Sequence, residues 1–225
     1  MSLQQRLDAL KADFESGKFP IKPTQAELGT MHKATADLIA GGLANRALKA
    51  GDAAPHFILN DADGTPVDSH DLLAHEPLVL SFYRGVWCPY CNLELQALEA
   101  SRAAFEERGA SLVAISPQTP ANSRKSQRQN ELGFPILSDA NSEVAGAFGI
   151  RFALPDDLIA LYKRFGNDLP AINADPSWVL PMPARYVIGT DGVIAYAEVN
   201  PDYTRRPDPS ELLPVLDRLS DAQAA

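Results

Sequence analysis

The sequence predicts an α/β domain in which a mixed central sheet is flanked by helices, with a helical extension at the N-terminus. Three observations lead to this fold class. An apolar run rich in β-forming residues at 78–82 is followed by a segment whose apolar residues repeat with helical period. Another apolar run at 112–115 comes next, which completes a strand–helix–strand unit. Near the C-terminus, runs at 184–188 and 193–199 surround a Thr-Asp-Gly turn, the pattern of an antiparallel hairpin.

Residues 1–50 are predicted to form the helical extension. Apolar residues of the first segment recur at steps of three and four, the period of an amphipathic helix: Leu3, Leu7, Leu10 and Phe14. Thr24, with Glu27 three residues later, is a capping box that opens a second helix, and Gly41 should end it. We expect the apolar faces of both helices to pack on the main domain or on a second subunit.

The main domain is predicted at residues 51–225. Turn and capping residues predict its other elements: a hairpin (57–67), a short helix capped by Asp68 or Ser69, a helix (120–132), a strand (134–137), a short helix (142–148) and a final helix (212–219). Residues 151–182 are interpreted as an insertion with a helix from Pro155, and their length predicts a lid or an interface element. Trp178, within the insertion, is predicted to be a core anchor.

The chain has two cysteines, Cys88 and Cys91, where the strand at 78–82 passes into its helix. Pro89 suits the first helical turn because its missing N–H has no intrahelical partner there. Unpaired N–H groups and the helix dipole favour an anion at this end, so the Cys88 thiolate should be stabilised. Cys91 lies one turn further on the same face, close enough to bridge Cys88. This spacing predicts a dithiol–disulfide pair, with Cys88 partly exposed and Cys91 more buried.

Half a zinc site and a pair of inert core cysteines are the alternatives. A structural zinc ion takes four ligands, and the chain has no further cysteine to supply them. The four histidines show no metal-ligand spacing: His32, His56, His70 and His75. We therefore predict redox chemistry by the two thiols, without a metal or another cofactor.

Composition and charge exclude several classes of partner. The hydrophobic content of 45% is enough for a sizeable core, and the formal net charge is −9. An acidic chain is a poor match for nucleic acid or for an anionic membrane, and no apolar run is long enough to span a bilayer. The polar residues Gln4, Gln5, Arg6 and Asp8 stand where a secretory signal needs an apolar stretch. Because both cysteines belong to one motif, a reducing compartment fits, and we expect a cytoplasmic protein.

Several motifs of the chain resemble a known family over residues 50–220. Trp87 to Cys91, with the Cys-Pro-Tyr-Cys sequence, is similar to a thioredoxin-superfamily active site, and its Pro-Tyr pair is similar to that of glutaredoxins. The surrounding segments Gly-Asp-Ala-Ala-Pro-His-Phe (51–57), Phe-Pro-Ile-Leu-Ser-Asp (134–139) and Arg-Tyr-Val-Ile-Gly-Thr-Asp-Gly (185–192) resemble the alkyl hydroperoxide reductase/thiol-specific antioxidant family, the peroxiredoxins.

The resemblance implies a thioredoxin-like fold and a hydroperoxide reductase. Cys88 would be the nucleophile and Cys91 would resolve its sulfenic acid as a disulfide, which an external dithiol of the thioredoxin or glutathione type would reduce. Ser81 and Gly85 stand where peroxiredoxins carry a proline and a threonine or serine. The hydroxyl expected to bind peroxide is therefore absent, and we expect slower peroxide reduction than in relatives with threonine.

Five further residues are candidates for the site. Arg84 precedes the nucleophile by four residues and either steadies its thiolate or forms a surface ion pair. Trp87 should shield Cys88 from water, and Tyr90 should be exposed to the partner thiol. By resemblance to the thioredoxin superfamily, Pro183 would be a cis-proline facing the cysteines. By resemblance to peroxiredoxins, Arg185 would lie near the same strand end.

Two other functions fit the same thiols. The Cys-Pro-Tyr-Cys sequence and the missing threonine favour a thiol–disulfide oxidoreductase, in which Cys88 attacks a substrate disulfide. A redox-sensing interaction module without turnover is the third hypothesis. The apolar faces of the extension and the insertion predict a homodimer, because isologous pairing is a common way to bury such faces.

Overall fold

The computed structural model describes residues 1–224, with side chains described up to residue 221. Its α-helices are α1 (Leu3–Glu15), α2 (Gln25–Ala40), α3 (Ser69–Leu73), α4 (Pro89–Glu106), α5 (Pro120–Asn130), α6 (Glu143–Ala147), α7 (Asp156–Arg164), α8 (Leu169–Asn173) and α9 (Leu213–Ala224). Its strands are β1 (Ile58–Asn60), β2 (Pro66–Asp68), β3 (Leu78–Phe82), β4 (Ser111–Ser116), β5 (Ile136–Ser138), β6 (Arg151–Ala153), β7 (Val179–Pro181), β8 (Ala184–Ile188) and β9 (Ile194–Val199).

The central sheet is mixed, as the sequence predicts. Its strand order is β2-β1-β5-β4-β3-β8-β9. Strand β3 pairs in parallel with β4, which sets Leu78 opposite Ser111, and antiparallel with β8, which sets Ser81 opposite Arg185. Parallel pairing of β3 with β4 follows from the helical crossover α4 between them. All five residues of β3 are buried, as are all five of its neighbour β8, so the strand that leads to Cys88 lies in the enclosed centre of the sheet.

Two apolar cores cover the two faces of the sheet. Side chains of β3 alternate between them, because successive residues of a strand point to opposite faces. Val79 packs with Leu95 and Leu98 of α4 on one face, whereas Leu80 packs with Phe148 on the other. The face beneath α4 also receives Leu7 of α1, which holds the start of the chain against the helix that begins at the cysteines.

The N-terminal extension folds as predicted and packs on the domain. Both of its helices begin with a complete capping box, Ser2 with Gln5 for α1 and Thr24 with Glu27 for α2. The beginning of α1 is bonded to the distant 204–208 loop: the Leu3 N–H donates to Asp208 at 3.2 Å. Helix α2 packs against α7 of the insertion. The extension therefore contributes to the side of the molecule on which α4 begins.

Residues 151–182 form a small unit with a core of its own. Strands β6 and β7 pair antiparallel, and α7 and α8 lie between them in the chain. Leu158, Leu161 and Leu180 pack around Trp178, which is the core anchor that the sequence predicts. Trp178 has a φ of +52°, so the surrounding packing holds its backbone in the left-handed region.

The other predicted elements are present with shifted ends. The strand expected at 134–137 is β5, two residues later, because Phe134 and Pro135 are still in the connection from α5. The final helix begins with a 3₁₀ turn, Pro209–Leu212, capped by Asp208 as expected, and α9 extends beyond the predicted end at 219. In the described part of the chain, we find no helix with the length and apolar character that crossing a bilayer requires.

Candidate active site

A short loop carries the chain from β3 to the first turn of α4. Cys88 is the N-cap of α4, with extended backbone, and Pro89 is the first helical residue, as the sequence predicts. The Cys88 N–H donates to the Gly85 carbonyl at 3.1 Å, and the Asn92 side chain donates to the Val86 carbonyl at 2.9 Å. These two bonds fix the loop segment that precedes the cysteine, one to Cys88 itself and one to α4.

Gln118 braces the same loop from β4's side of the sheet. Its side-chain oxygen accepts the Val86 N–H at 2.8 Å, and its nitrogen donates to the Tyr83 hydroxyl at 2.6 Å. The Tyr83 hydroxyl in turn donates to Ser126 of α5 at 3.2 Å. For Gln118, in the loop after β4, the sequence allows a substrate contact but favours a plain turn residue. The plain turn residue is wrong, because Gln118 is fully buried and positions the loop.

Both cysteines are buried. Cys88 is 1% exposed and Cys91 0%, so the predicted partial exposure of Cys88 is wrong. The prediction considered the loop alone, whereas the extension and the insertion also cover it. Tyr90 is buried as well, contrary to expectation, because its ring packs edge-on against Tyr203 at 5.5 Å between centroids. The two thiols are free and lie one helical turn apart on α4.

The two thiols have opposite acidities. Burial raises the pKa of Cys88, but hydrogen bonds from Cys91 and the charge of Arg84 outweigh it and lower the pKa to about 6. Burial and the neighbouring Cys88 both raise the pKa of Cys91 well above its ordinary value. At neutral pH, Cys88 is therefore the thiolate and Cys91 the thiol that donates to it.

Arg84 is a buried cation among aromatic rings. Its guanidinium donates to the Tyr162 hydroxyl at 2.5 Å, and its central carbon lies 4.3 Å from the Tyr203 ring centre and 4.8 Å from that of Trp87. Only 2% of the residue is exposed, so the alternative of a surface ion pair is wrong. Cation–π contacts hold the charge without neutralising it, and the charge therefore acts on Cys88. Its Nε has no partner among the described residues.

A buried ion network lies behind Cys91. Glu94 accepts from Arg185 at 2.9 Å and from Arg206 at 2.5 Å, and Arg206 also donates weakly to the Cys91 sulfur at 3.9 Å. Although burial raises the pKa of Glu94, the two guanidinium groups lower it further than burial raises it. Arg185 thus points to the α4 side of the sheet and acts on the site through Glu94. Sequence reasoning missed Glu94 and Arg206.

One of these missed residues had a signal in the sequence. Glu94 follows Cys91 by three residues and precedes Leu98 by four, so it falls on the apolar face of α4. A carboxylate on a buried helix face needs a cation, which indicates an ion pair. Nothing local in the sequence points to Arg206, which reaches Glu94 across 112 residues.

Pro183 does not have the predicted role. The described residues contain no cis peptide bond, so the Met182–Pro183 bond is trans. Pro183 lines a second cavity, with Leu158 and Pro155 of the insertion, and does not line the cavity that contains Cys88. The expectation from the thioredoxin superfamily is therefore wrong: Pro183, in the short connection from β7 to β8, lies beside the insertion and not at the cysteines.

Cys88 lies at the wall of a cavity of about 390 Å³. The extension contributes Phe14 and Met31 to its lining, and the insertion contributes Tyr162 and Phe165. Trp87 also lines the cavity and packs edge-on against Tyr162, with ring centroids 5.4 Å apart. This volume lies in the range of binding sites for small organic molecules, about 300–1,000 Å³.

Two of the four histidines, His56 and His70, form a cluster with Asp68 away from this cavity's lining. His56, Asp68 and His70 each offer a ligand atom within 4.8 Å of the others, a proximity that sequence spacing did not reveal. Asp68 caps α3 through the His70 N–H and accepts from His56 at 2.8 Å. The two imidazole rings stack with centroids 4.0 Å apart. Capping and stacking account for this cluster.

Comparisons with known proteins agree with the geometry. The AhpC/TSA family model matches residues 50–197. Peroxiredoxin Bcp of Escherichia coli is 32% identical over 103 residues, which are 46% of this chain and 65% of that protein. The chloroplastic peroxiredoxin Q of Oryza sativa is 30% identical over 146 residues, 65% of this chain and 57% of that protein. The crystal structure of peroxidoxin BcpB from Mycobacterium tuberculosis superposes with a TM-score of 0.60 at 26% identity, over 76% of this chain and 97% of that one.

Proposed function

The chain belongs to the AhpC/TSA family and is an oxidoreductase of the thiol peroxidase type, and from this premise we propose that Cys88 reduces hydroperoxides and Cys91 resolves the oxidised product. The observation that carries the proposal is the pairing of an acidic Cys88, with its pKa lowered to about 6, and a hydrogen-bonded Cys91 thiol one helical turn away. A buried thiolate beside its own resolving thiol needs no partner subunit to complete a disulfide.

In the first step, the Cys88 thiolate attacks the outer oxygen of a hydroperoxide. The O–O bond breaks, the sulfur gains the hydroxyl as a sulfenic acid, and the alkoxide leaves and takes a proton to become an alcohol. The sulfur loses two electrons and the peroxide gains them. Charge develops on the leaving oxygen, and Arg84 supplies a buried positive charge whose Nε–H is unpaired among the described residues.

In the second step, the Cys91 sulfur attacks the sulfenic sulfur, and the hydroxyl leaves as water. Cys91 has a high pKa at rest, so this step needs its proton removed. Loss of the Cys88 negative charge on oxidation removes one of the causes of that high pKa, and Arg206 beside the Cys91 sulfur favours the thiolate. An external thiol reductant of the thioredoxin or glutathione type then restores both thiols by disulfide exchange.

The thiol–disulfide oxidoreductase is the second candidate, and the Cys-Pro-Tyr-Cys sequence is what favours it. Against it, the two sulfurs are at most 1% exposed and the proline at 183 is trans. A protein disulfide would have to reach sulfurs that the extension and the insertion cover. A small hydroperoxide fits the cavity as it stands, which supports the peroxidase.

We extend the proposal to the cellular setting. A reducing cytoplasm would keep the pair as thiols between turnovers, as the mechanism requires. A homodimer also remains part of the proposal. Neither nucleic acid nor a membrane is a partner in it.

A side-by-side turnover assay tests this function. Wild-type protein should reduce hydroperoxide with a dithiol reductant, Cys88→Ser should lose all activity, and Cys91→Ser should complete one turnover to a sulfenic acid that dimedone traps. The trapped adduct is measured by mass spectrometry, with Cys88→Ser as the control for non-specific labelling. Rapid reduction of a protein disulfide by wild-type protein, with no reduction of any hydroperoxide, would establish the oxidoreductase instead.

A further inference from the structure

The cavity at Cys88 has walls that hydrogen peroxide does not need. Side chains from the extension form one side, and those that line it are Leu10, Phe14, Phe19, Ile21 and Met31. Tyr162 of α7 and Phe165, which caps the end of that helix, form another. Hydrogen peroxide has no apolar surface to bury against an aromatic wall. An organic group does, and its binding becomes more favourable as more of its apolar surface is buried.

The extension and the insertion meet to close this wall. Phe14 of α1 contacts Phe165 edge-on, with ring centroids 6.3 Å apart, and contacts Phe19 in the same way at 6.0 Å. Both contacts have the geometry that aromatic pairs prefer. The Phe14 side of the wall lies outside residues 50–197, the region that matches the family model. It is therefore contributed by a part of the chain that the family model does not cover.

Charge and size restrict the occupant further. Among the described residues that line the cavity, Arg84 is the one charged side chain, and its charge faces aromatic rings and Cys88. No carboxylate or lysine lines it. The volume of about 390 Å³ accommodates a ring-sized group and leaves no room for the surface of a protein partner.

We propose that the extension and the insertion form a binding site for the organic group of the substrate, an uncharged hydroperoxide that carries an aromatic or branched apolar group of ring size. The inference rests on the proposed function, since it takes the Cys88 reaction as given. The apolar group lies between Phe14 and Phe165, and the peroxide oxygens meet Cys88 and Arg84. Attack at the outer oxygen leaves the corresponding alcohol in the same site.

The test measures the oxidation of Cys88 in single turnover, without a recycling reductant. Rate constants are determined for cumene hydroperoxide, tert-butyl hydroperoxide and hydrogen peroxide. We expect the largest for cumene hydroperoxide and the smallest for hydrogen peroxide. Phe14→Ala and Phe165→Ala should each slow the cumene reaction about tenfold and leave the hydrogen peroxide reaction within about twofold, because each removes one buried ring contact.

Two more variants distinguish the loss of an apolar contact in the cavity from misfolding of the extension. Ile21→Asp places a carboxylate at a position that is 40% exposed on the cavity lining, where the fold tolerates it, and should also slow the cumene reaction selectively. Ile39→Ala is the matched control: it lies on α2, is 52% exposed and does not line this cavity. It should change none of the three rate constants.

Binding of the product alcohol provides a readout that does not depend on turnover. Cumyl alcohol should show saturation-transfer NMR contact with Cys88→Ser protein, and Phe14→Ala in that background should abolish it. Equal rates for all three peroxides, unchanged in the variants, would overturn the inference and leave the peroxidase intact. Alcohol binding without oxidation by any peroxide would overturn the proposed function and keep the binding site. Absence of alcohol binding would overturn the site itself.

Discussion

At the scale of single residues, the reactivity of Cys88 depends on a balance between burial and charge. Because the pKa is lowered to about 6, the reactive thiolate gains population as pH rises through 6. We expect the alkylation rate of reduced protein by iodoacetamide to rise with pH, to reach half its maximum near pH 6 and to be level above about pH 7.5. A midpoint near that of an ordinary thiol, about 8.5, would show that the helix terminus and Arg84 do not activate Cys88.

Arg84 supplies the charge in that balance. Arg84→Met should move the alkylation midpoint upward, toward the ordinary value, because it removes the cation while keeping an unbranched side chain among the rings. Arg84→Lys keeps a charge and should move the midpoint less. The comparison is made by the same alkylation profile, and an unshifted midpoint in Arg84→Met would assign the low pKa to Cys91, Arg206 and the helix terminus.

Arg206 acts on the second sulfur. Arg206→Met should slow disulfide formation about tenfold, the effect of one charged hydrogen bond. It should slow the preceding oxidation of Cys88 much less, because Arg206 is only a minor cause of the low pKa of Cys88. Stopped-flow fluorescence separates the two steps, because the first depends on peroxide concentration and the second does not. Arg205→Met is the matched control, since that neighbouring guanidinium is 56% exposed. Equal slowing of both steps by Arg206→Met would indicate a general structural role through Glu94.

At the scale of elements, the packing of the 83–88 loop explains why position 85 has no threonine. A Cβ on Gly85 would lie 2.7 Å from the Trp87 indole nitrogen, and the φ of Gly85 is +136°. The indole thus occupies the space that the side chain of a threonine would need. The position of the Trp87 indole therefore requires a glycine at residue 85 and excludes a threonine.

Gly85→Thr should therefore fail to accelerate peroxide reduction, although the sequence resemblance alone would favour it. We expect a loss of about 2–3 kcal/mol in the free energy of unfolding, from backbone strain and from the clash with Trp87. Gly64→Thr is the control, because that glycine has a φ of +87° with open space at its Cβ, and it should lose about 1 kcal/mol. Denaturant unfolding and the peroxide rate together check this. A faster Gly85→Thr enzyme would show that the indole yields to the hydroxyl.

The elements themselves were largely predictable from sequence, because their signals are local. The Thr24–Glu27 capping box, the Asp68 cap and the Cys88–Pro89 helix start all depend on residues within one turn. Burial was not predictable in the same way. The local signals place Gln118 in a turn and Tyr90 in a helix. They do not predict that distant segments of the chain bury both side chains.

At the scale of the whole molecule, the extension and the insertion change the site more than any local motif does. They bring Phe14 and Phe165 together from positions 151 residues apart in the chain, a contact that no periodicity encodes. The cysteines could be assigned from sequence because their spacing is local. Their burial, the Arg206 contact and the cavity could not, because each depends on long-range packing.

The same packing bears on the predicted homodimer. The apolar faces that led to it are covered within the chain, since Leu7 packs beneath α4 and Leu158 packs with Trp178. Large apolar side chains that stay exposed among the described residues are Met1, Ile21, Ile39, Ile58 and Val193. We retain the dimer as a prediction for light scattering at high concentration, and a monomer there would remove it.

The proposed disulfide between Cys88 and Cys91 would close a ring of only four residues. A cross-link that short restricts the unfolded chain little: the chain-entropy estimate is about 2 kcal/mol, against about 4.7 for a ring of a hundred residues. It also joins no two elements, because both sulfurs belong to the start of α4. Oxidation is therefore expected to cause almost no conformational change outside the start of α4. A sensor would have to pass its state to a distant surface, whereas a catalyst gains from a redox cycle that the remainder of the fold does not register.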